Sequence, residues 1–73
     1  MTEKEKLQML EEMLELEEGT LTCETVLEDL EEWDSIAIIS FIALIDDEFE
    51  KQISSSKIKE FKKIDDLLIE MVN

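Results

Sequence analysis

Histidine, arginine and proline are absent from the sequence, and glycine, cysteine and tryptophan occur once each. Each shortage removes a class of chemistry or of fold. Without histidine a serine nucleophile lacks its usual base, and a transition-metal site lacks its commonest ligand. A Ser–Lys pair is the formal substitute, but no motif supports it. The lone Cys23 excludes an intramolecular disulfide and a cysteine metal cluster, which suits a reducing cytosol. No EF-hand loop with its central glycine is present to hold calcium. The most apolar run, Ile36 to Ile45, is about half the length a membrane-spanning helix needs. The segment Met1-Thr2-Glu3-Lys4-Glu5-Lys6 lacks the apolar core of a signal peptide. A soluble, cytoplasmic protein with no membrane contact and no metal site is expected.

Positive charge is the other scarcity. Seven lysines face 21 acidic residues, for a net charge of −14. A nucleic-acid partner is excluded, because phosphate backbones need a basic surface. A basic protein partner, met at electrostatically enhanced rates, fits instead. The charge is uneven: 13 acids and two lysines precede Ser35, four acids and no lysine follow to Glu50, then four acids and five lysines. Paired carboxylates such as Glu11-Glu12, Glu17-Glu18 and Glu31-Glu32 read as solvated surface rather than acid/base pairs.

What is present is helical material. Seventy-three residues make a single domain, residues 1–73, too small for an enclosed active site. Its isoleucines do not alternate with polar residues as a half-buried strand requires. Thr2 and Glu5 form a capping box for a first helix over Glu3 to Leu16. There Leu7, Leu10, Leu14 and Met13 share a face while Gln8, Glu11, Glu12 and Glu15 point away. Met9 and Leu16 touch the following loop, and Gly19 supplies the stop. Glu17 to Asp34 is long for a connection, which marks a functional loop. Leu21, Val26, Leu27, Leu30 and Trp33 pin it down, with a short turn from Thr25 through Leu30. Ser54-Ser55-Ser56 caps a short third helix through Phe61. Ile64, Leu67, Leu68 and Met71 set the face of a last helix ending near Val72. The fold class is all-α: a small bundle of three longer helices and one short helix.

The stretch Glu32-Trp33-Asp34-Ser35-Ile36 organises the rest. Asp34 is a good helix N-cap, and an apolar helix runs from Ile36 to Phe49. Ser35 falls in its first turn, where free N–H groups and the helix dipole favour a phosphate on the hydroxyl. At about 100° per residue, Ile38, Phe41, Ile42, Ile45 and Phe49 gather on one side. Ile36, Ile39, Ser40, Ala43, Asp46, Asp47 and Glu50 gather opposite, with Ala37 and Leu44 between. The second side is either a contact surface or a face that the other helices cover.

Taken in order, these features resemble the acyl carrier protein family, whose Asp-Ser-Leu motif carries 4′-phosphopantetheine on its serine. The resemblance spans nearly the whole chain: the leading helix, the Leu27-Glu28-Asp29-Leu30 segment, Asp34-Ser35-Ile36, the acidic end at Asp46-Asp47-Glu48-Phe49-Glu50, and Ile64-Asp65-Asp66-Leu67-Leu68. Trp33 before Asp34 looks like a divergent branch outside housekeeping fatty-acid synthesis. The resemblance implies a four-helix carrier, monomeric and non-enzymatic, with 4′-phosphopantetheine on Ser35 flanked by Asp34 and Ile36. It implies a phosphopantetheinyl transferase, or holo-carrier synthase, that moves the arm from coenzyme A with a metal ion. It also implies loading and transfer enzymes for acyl or aminoacyl cargo, with basic surfaces that dock on Ile36, Ile39, Ala43, Asp46, Asp47 and Glu50. An unmodified acidic module that binds a basic partner through the second helix is the alternative. Departures from the family pattern are Ile36 for leucine, Ala37 and Ser40 at commonly acidic positions, and the basic third segment; they bear on partners more than on the arm.

Overall fold

The computed structural model describes residues 2–72. Four helices form an all-α bundle: α1 Glu3–Met13, α2 Ser35–Phe49, α3 Ser55–Ile58 and α4 Ile64–Glu70. Helix α1 packs against α2 and α4, and α3 packs against α2. Among the described residues there is no strand, only an isolated antiparallel bridge between Val26 and Lys63.

Helix α1 starts at the expected capping box, with Glu5 N–H donating to Thr2 Oγ1 at 3.2 Å and Thr2 N–H to Glu5 Oε1 at 3.0 Å. It ends at Met13, three residues before Leu16, and Gly19 is not its stop. The stop is Glu15, whose φ of 59° places it in the left-handed region. Glu15 N–H reaches Glu12 O at 3.2 Å and Leu16 N–H reaches Glu11 O at 2.8 Å. That is the paired-bond ending usually built on glycine. A glutamate stands there because the chain must reverse early, to bring Leu16 back against the core and bury Leu21. Gly19, at φ 88°, serves a later turn in the loop.

The loop from α1 to α2 is held from three directions. Leu21 and Leu27 are buried, while Leu30 and Trp33 pack half-buried against the core. A single 3-10 turn forms at Leu27–Asp29. Backbone bonds of 2.9 Å join Leu27 N–H to Lys62 O, Ile64 N–H to Thr25 O and Asp65 N–H to Cys23 O, which ties the loop to the α3–α4 connection. The third tether corrects the expectation for Glu11. Instead of pointing into solvent, it is 3% exposed, and its carboxylate accepts Leu21 N–H at 2.9 Å. Glu11 sits between Leu7 and Leu14 on the helical repeat, so the apolar stripe carries it inward. There it satisfies a buried donor that would otherwise cost free energy.

Helix α2 buries Ala37, Phe41, Ile45 and Phe49. The buried stripe is thus rotated slightly from the expected one. Ile38 and Ile42 lie half-buried at its margin, and Ala37 is inside. Helix α3 is capped by Ser54, whose Oγ accepts Lys57 N–H at 3.2 Å. It ends at Ile58 rather than Phe61, because the following turn must deliver Lys62 O to the loop. Helix α4 buries Ile64, Leu67 and Leu68 and ends at Glu70, short of Val72, with Met71 buried just beyond.

Asp66 and Glu70 fasten α4. Backbone N–H groups of Lys62 and Lys63 donate to Asp66 at 2.8 and 3.1 Å and hold its pKa below the usual carboxylate range. Glu70 lies almost buried between Lys51 at 3.0 Å and Lys57 at 3.1 Å. Burial pushes its pKa up, but hydrogen bonds and charge from the two lysines outweigh that and hold it low. Two of the five lysines in the basic segment are thus spent inside the fold. A depressed carboxyl stabilises the fold above its unfolded pKa and loses that contribution as pH falls through the folded one. Glu70→Gln should therefore cost about 1–2 kcal/mol at neutral pH, since the lysines are partly exposed. Urea unfolding of both proteins across pH should show that gap constant at neutral pH and closing in acid, below the ordinary glutamate range of about 4.3.

Candidate functional site

Ser35 is the first residue of α2, a helix of 15 residues, and its side chain is exposed. Two anchors fix its position. Upstream, the Trp33 ring meets Phe41 edge to face at 6.1 Å and 68°, and Trp33 N–H donates to Leu30 O at 3.2 Å. Phe41 is fully buried, so the end of the loop is pinned to the centre of the core. Then Asp34, extended at φ −115° and ψ −170°, caps the helix. Its carboxylate accepts Ala37 N–H at 2.9 Å and its carbonyl accepts Ile38 N–H at 3.0 Å. The first-turn amides of Ser35 and Ile36 are left without an acceptor among the described residues. An exposed hydroxyl beside free amides, at the positive end of a long helix, is suited to a phosphodiester.

Ile36 and Ile39 stand 73% and 66% exposed, unusual for isoleucine and unlike the buried stripe one residue along. Ala43, Asp46, Asp47 and Glu50 are exposed as well. Ser40, expected on the same side, is half-buried. The outer side of α2 therefore presents an apolar strip that starts next to Ser35 and ends in carboxylates. Glu50 closes the helix at φ 52°, with its N–H on Asp46 O.

Two depressions flank the start of α2. One, of about 400 Å³, lies toward the end of α1 and is edged by Glu15, Glu32 and Asp34. The other, of about 460 Å³, lies between α2, the 3-10 turn and α3. Trp33, Ile38, Ile58 and Phe61 give it apolar walls, and Lys59 and Lys62 are on its lining. Sequence proximity puts Trp33 beside Ser35 but does not connect it to Lys59 or Lys62. No local signal could do so, because backbone pairing between the loop and the α3–α4 connection brings them together. Glu70 did carry a signal: it falls three residues after Leu67 on the apolar face of α4.

Comparison with known proteins agrees with this geometry. A family model described as "Phosphopantetheine attachment site" matches residues 7–69. No curated protein and no solved structure matches the chain.

The Asp34 cap is directly testable. Asp34→Ala should lower stability by about 1 kcal/mol, and Asp34→Asn by much less, because asparagine also caps. Denaturant midpoints of the two variants give the comparison; equal losses would show that the carboxylate charge, not the cap bond, matters.

Proposed function

The chain belongs to the phosphopantetheine attachment-site family, whose members carry a 4′-phosphopantetheine group, and we propose that Ser35 is where this carrier bears it. The observation that carries the reading is the join of that match with Asp34-Ser35-Ile36 at the start of α2, where a fixed, exposed hydroxyl faces free amides. In the attachment step, Ser35 Oγ forms a bond to the pantetheine-bearing phosphorus of coenzyme A. The phosphorus–oxygen bond to 3′,5′-ADP breaks, and the serine proton passes to a base on the transferase. Once in place, the arm supplies a thiol that holds acyl or aminoacyl cargo as a thioester. The chain's own residues hold the attachment point still, offer a docking face and shelter cargo. Chemistry on the cargo belongs to partner enzymes, and tethering makes its delivery effectively intramolecular.

Partners dock on Ile36, Ile39 and Ala43, with Asp46, Asp47 and Glu50 supplying charge. The placement of those acids supports the reading. Carboxylates at the end of a helix oppose its dipole, and the last turn of α2 has no basic residue to offset them. Charge set where it costs helix stability points to use outside the fold. An unmodified acidic module would use the same face; the match over residues 7–69 favours the carrier.

With coenzyme A and a promiscuous transferase, the protein should gain the mass of one arm, mapped to the peptide that contains Ser35. Ser35→Ala should gain none. Labelling at Ser40, Ser54, Ser55 or Ser56 in that variant would overturn the assignment.

Truncating one residue on the docking face and one in the core should have different effects. Ile39→Ala should lower the transferase kcat/KM about tenfold, the effect of losing a central apolar contact, with an unchanged melting temperature. Phe41→Ala should cost about 3–5 kcal/mol of stability instead. Asp46→Lys with Asp47→Lys should slow association and flatten its dependence on salt. An Ile39→Ala variant that melts as early as Phe41→Ala would place the strip in the core.

A further inference from the structure

Lysine is scarce here, and its distribution is selective. Of the five lysines after Glu50, Lys51 and Lys57 are committed to Glu70. Lys63 is exposed and lies off the groove that the remaining two line. Lys59 and Lys62 are exposed, and neither has a carboxylate within ion-pair distance among the described residues. Both line the same groove, about 460 Å³ in volume, whose walls are Trp33, Ile38, Ile58 and Phe61. Glu28 is the one carboxylate on that lining. The depression on the other side of Ser35 has three carboxylates and no lysine. A shallow cleft further along α2, by Ile39, Ala43 and Ile53, has Asp46 and no lysine. In those two depressions a bound anion would meet carboxylates with no lysine on the lining, in a chain at −14.

We propose that the cargo this carrier shelters is an acyl group with an apolar body and an anionic end, selected by Lys59 and Lys62 on the lining of this groove. The inference rests on the carrier reading, with the arm on Ser35. Ile38 lies one helical turn from Ser35 on α2, so a flexible arm can fold back and lay its cargo between Trp33 and Ile58. The apolar body then covers the half-buried rings, while a terminal carboxylate reaches Lys59 and Lys62 at the rim. A neutral tail of equal length keeps the apolar contact and loses the ion pairs. A cationic tail meets two like charges.

The test loads the full-length protein, through coenzyme A analogues and a promiscuous transferase, with hexanoyl, adipoyl or 6-aminohexanoyl cargo. Intact mass verifies loading. Trp33, the only tryptophan, reports the groove by fluorescence, and amide shifts of Ile38, Ile58 and Phe61 report it by NMR. The adipoyl form should be seated about two- to fivefold more than the hexanoyl form, the worth of an exposed ion pair. The aminohexanoyl form should be seated least. The adipoyl advantage should shrink as salt rises. Lys59→Gln with Lys62→Gln, two exposed positions, should leave melting unchanged and reduce the adipoyl response to the hexanoyl level. Equal responses to adipoyl and hexanoyl, or a preference that survives the double substitution, would overturn the proposal while leaving the carrier reading intact. Failure of any analogue to load at Ser35 would sink the carrier reading, and this one with it.

Discussion

Burial of one stripe on α2 is the constraint on which the other features hang. Ala37, Phe41, Ile45 and Phe49 recur every four residues and are all inside. Because four residues turn a helix by about 40° more than a full circle, the stripe winds as it descends. It therefore meets different neighbours along its length, with α1 and α3 both packed on α2. Phe41 at the centre also receives the Trp33 ring. The same contact that fills the core thus fixes the residue before the Asp34 cap. With the stripe committed inward, Ile36 and Ile39 have nowhere to go but out. The rigid start of α2 and its exposed apolar strip are two results of one packing decision.

Electrostatics divides the molecule differently. Most of its carboxylates are on the surface and repel one another, which costs stability. Two carboxylates are drawn inside and put to structural use. Glu11 supplies the acceptor for a buried loop amide. Glu70 draws Lys51 and Lys57 onto α4, bracing the segment that contains α3. This internal use of lysine leaves the basic segment less basic than its composition suggests. Of the lysines it leaves without an ion pair among the described residues, Lys59 and Lys62 share one groove.

The division of labour in a carrier follows from what such a chain can offer. With no histidine in the chain, the carrier reading leaves activation of Ser35 to a partner enzyme. It can hold a hydroxyl at a defined point, at the positive end of a long helix, with Ala37 N–H capped and the amides of Ser35 and Ile36 left free. The loop keeps that point fixed because its backbone is bonded to the α3–α4 connection. A connection as long as this one, left unbonded, would let the start of α2 fray and the proposed attachment point wander.

The sequence by itself determined the helical class, the start of α1 at its capping box and the start of α2 at Asp34. Those are local matters, decided by side chains within four residues of the backbone groups they satisfy. Periodicity also separated the inner side of α2 from Ile36 and Ile39, because an apolar stripe repeats whatever packs on it. Tertiary structure decided what depends on distant partners. It ended α1 at Met13, with Glu15 rather than Gly19 making the reversal, since burying Leu16 and Leu21 demanded an early turn that outweighs the preference for glycine. It drew Glu11 inside to meet Leu21 N–H, and it placed Lys59 and Lys62 beside Trp33. Residues 26 and 29 positions apart meet there through backbone pairing of two irregular segments, for which no sequence period exists. Helix starts and faces are written in nearest neighbours, while grooves and buried charges are written only in the assembled fold.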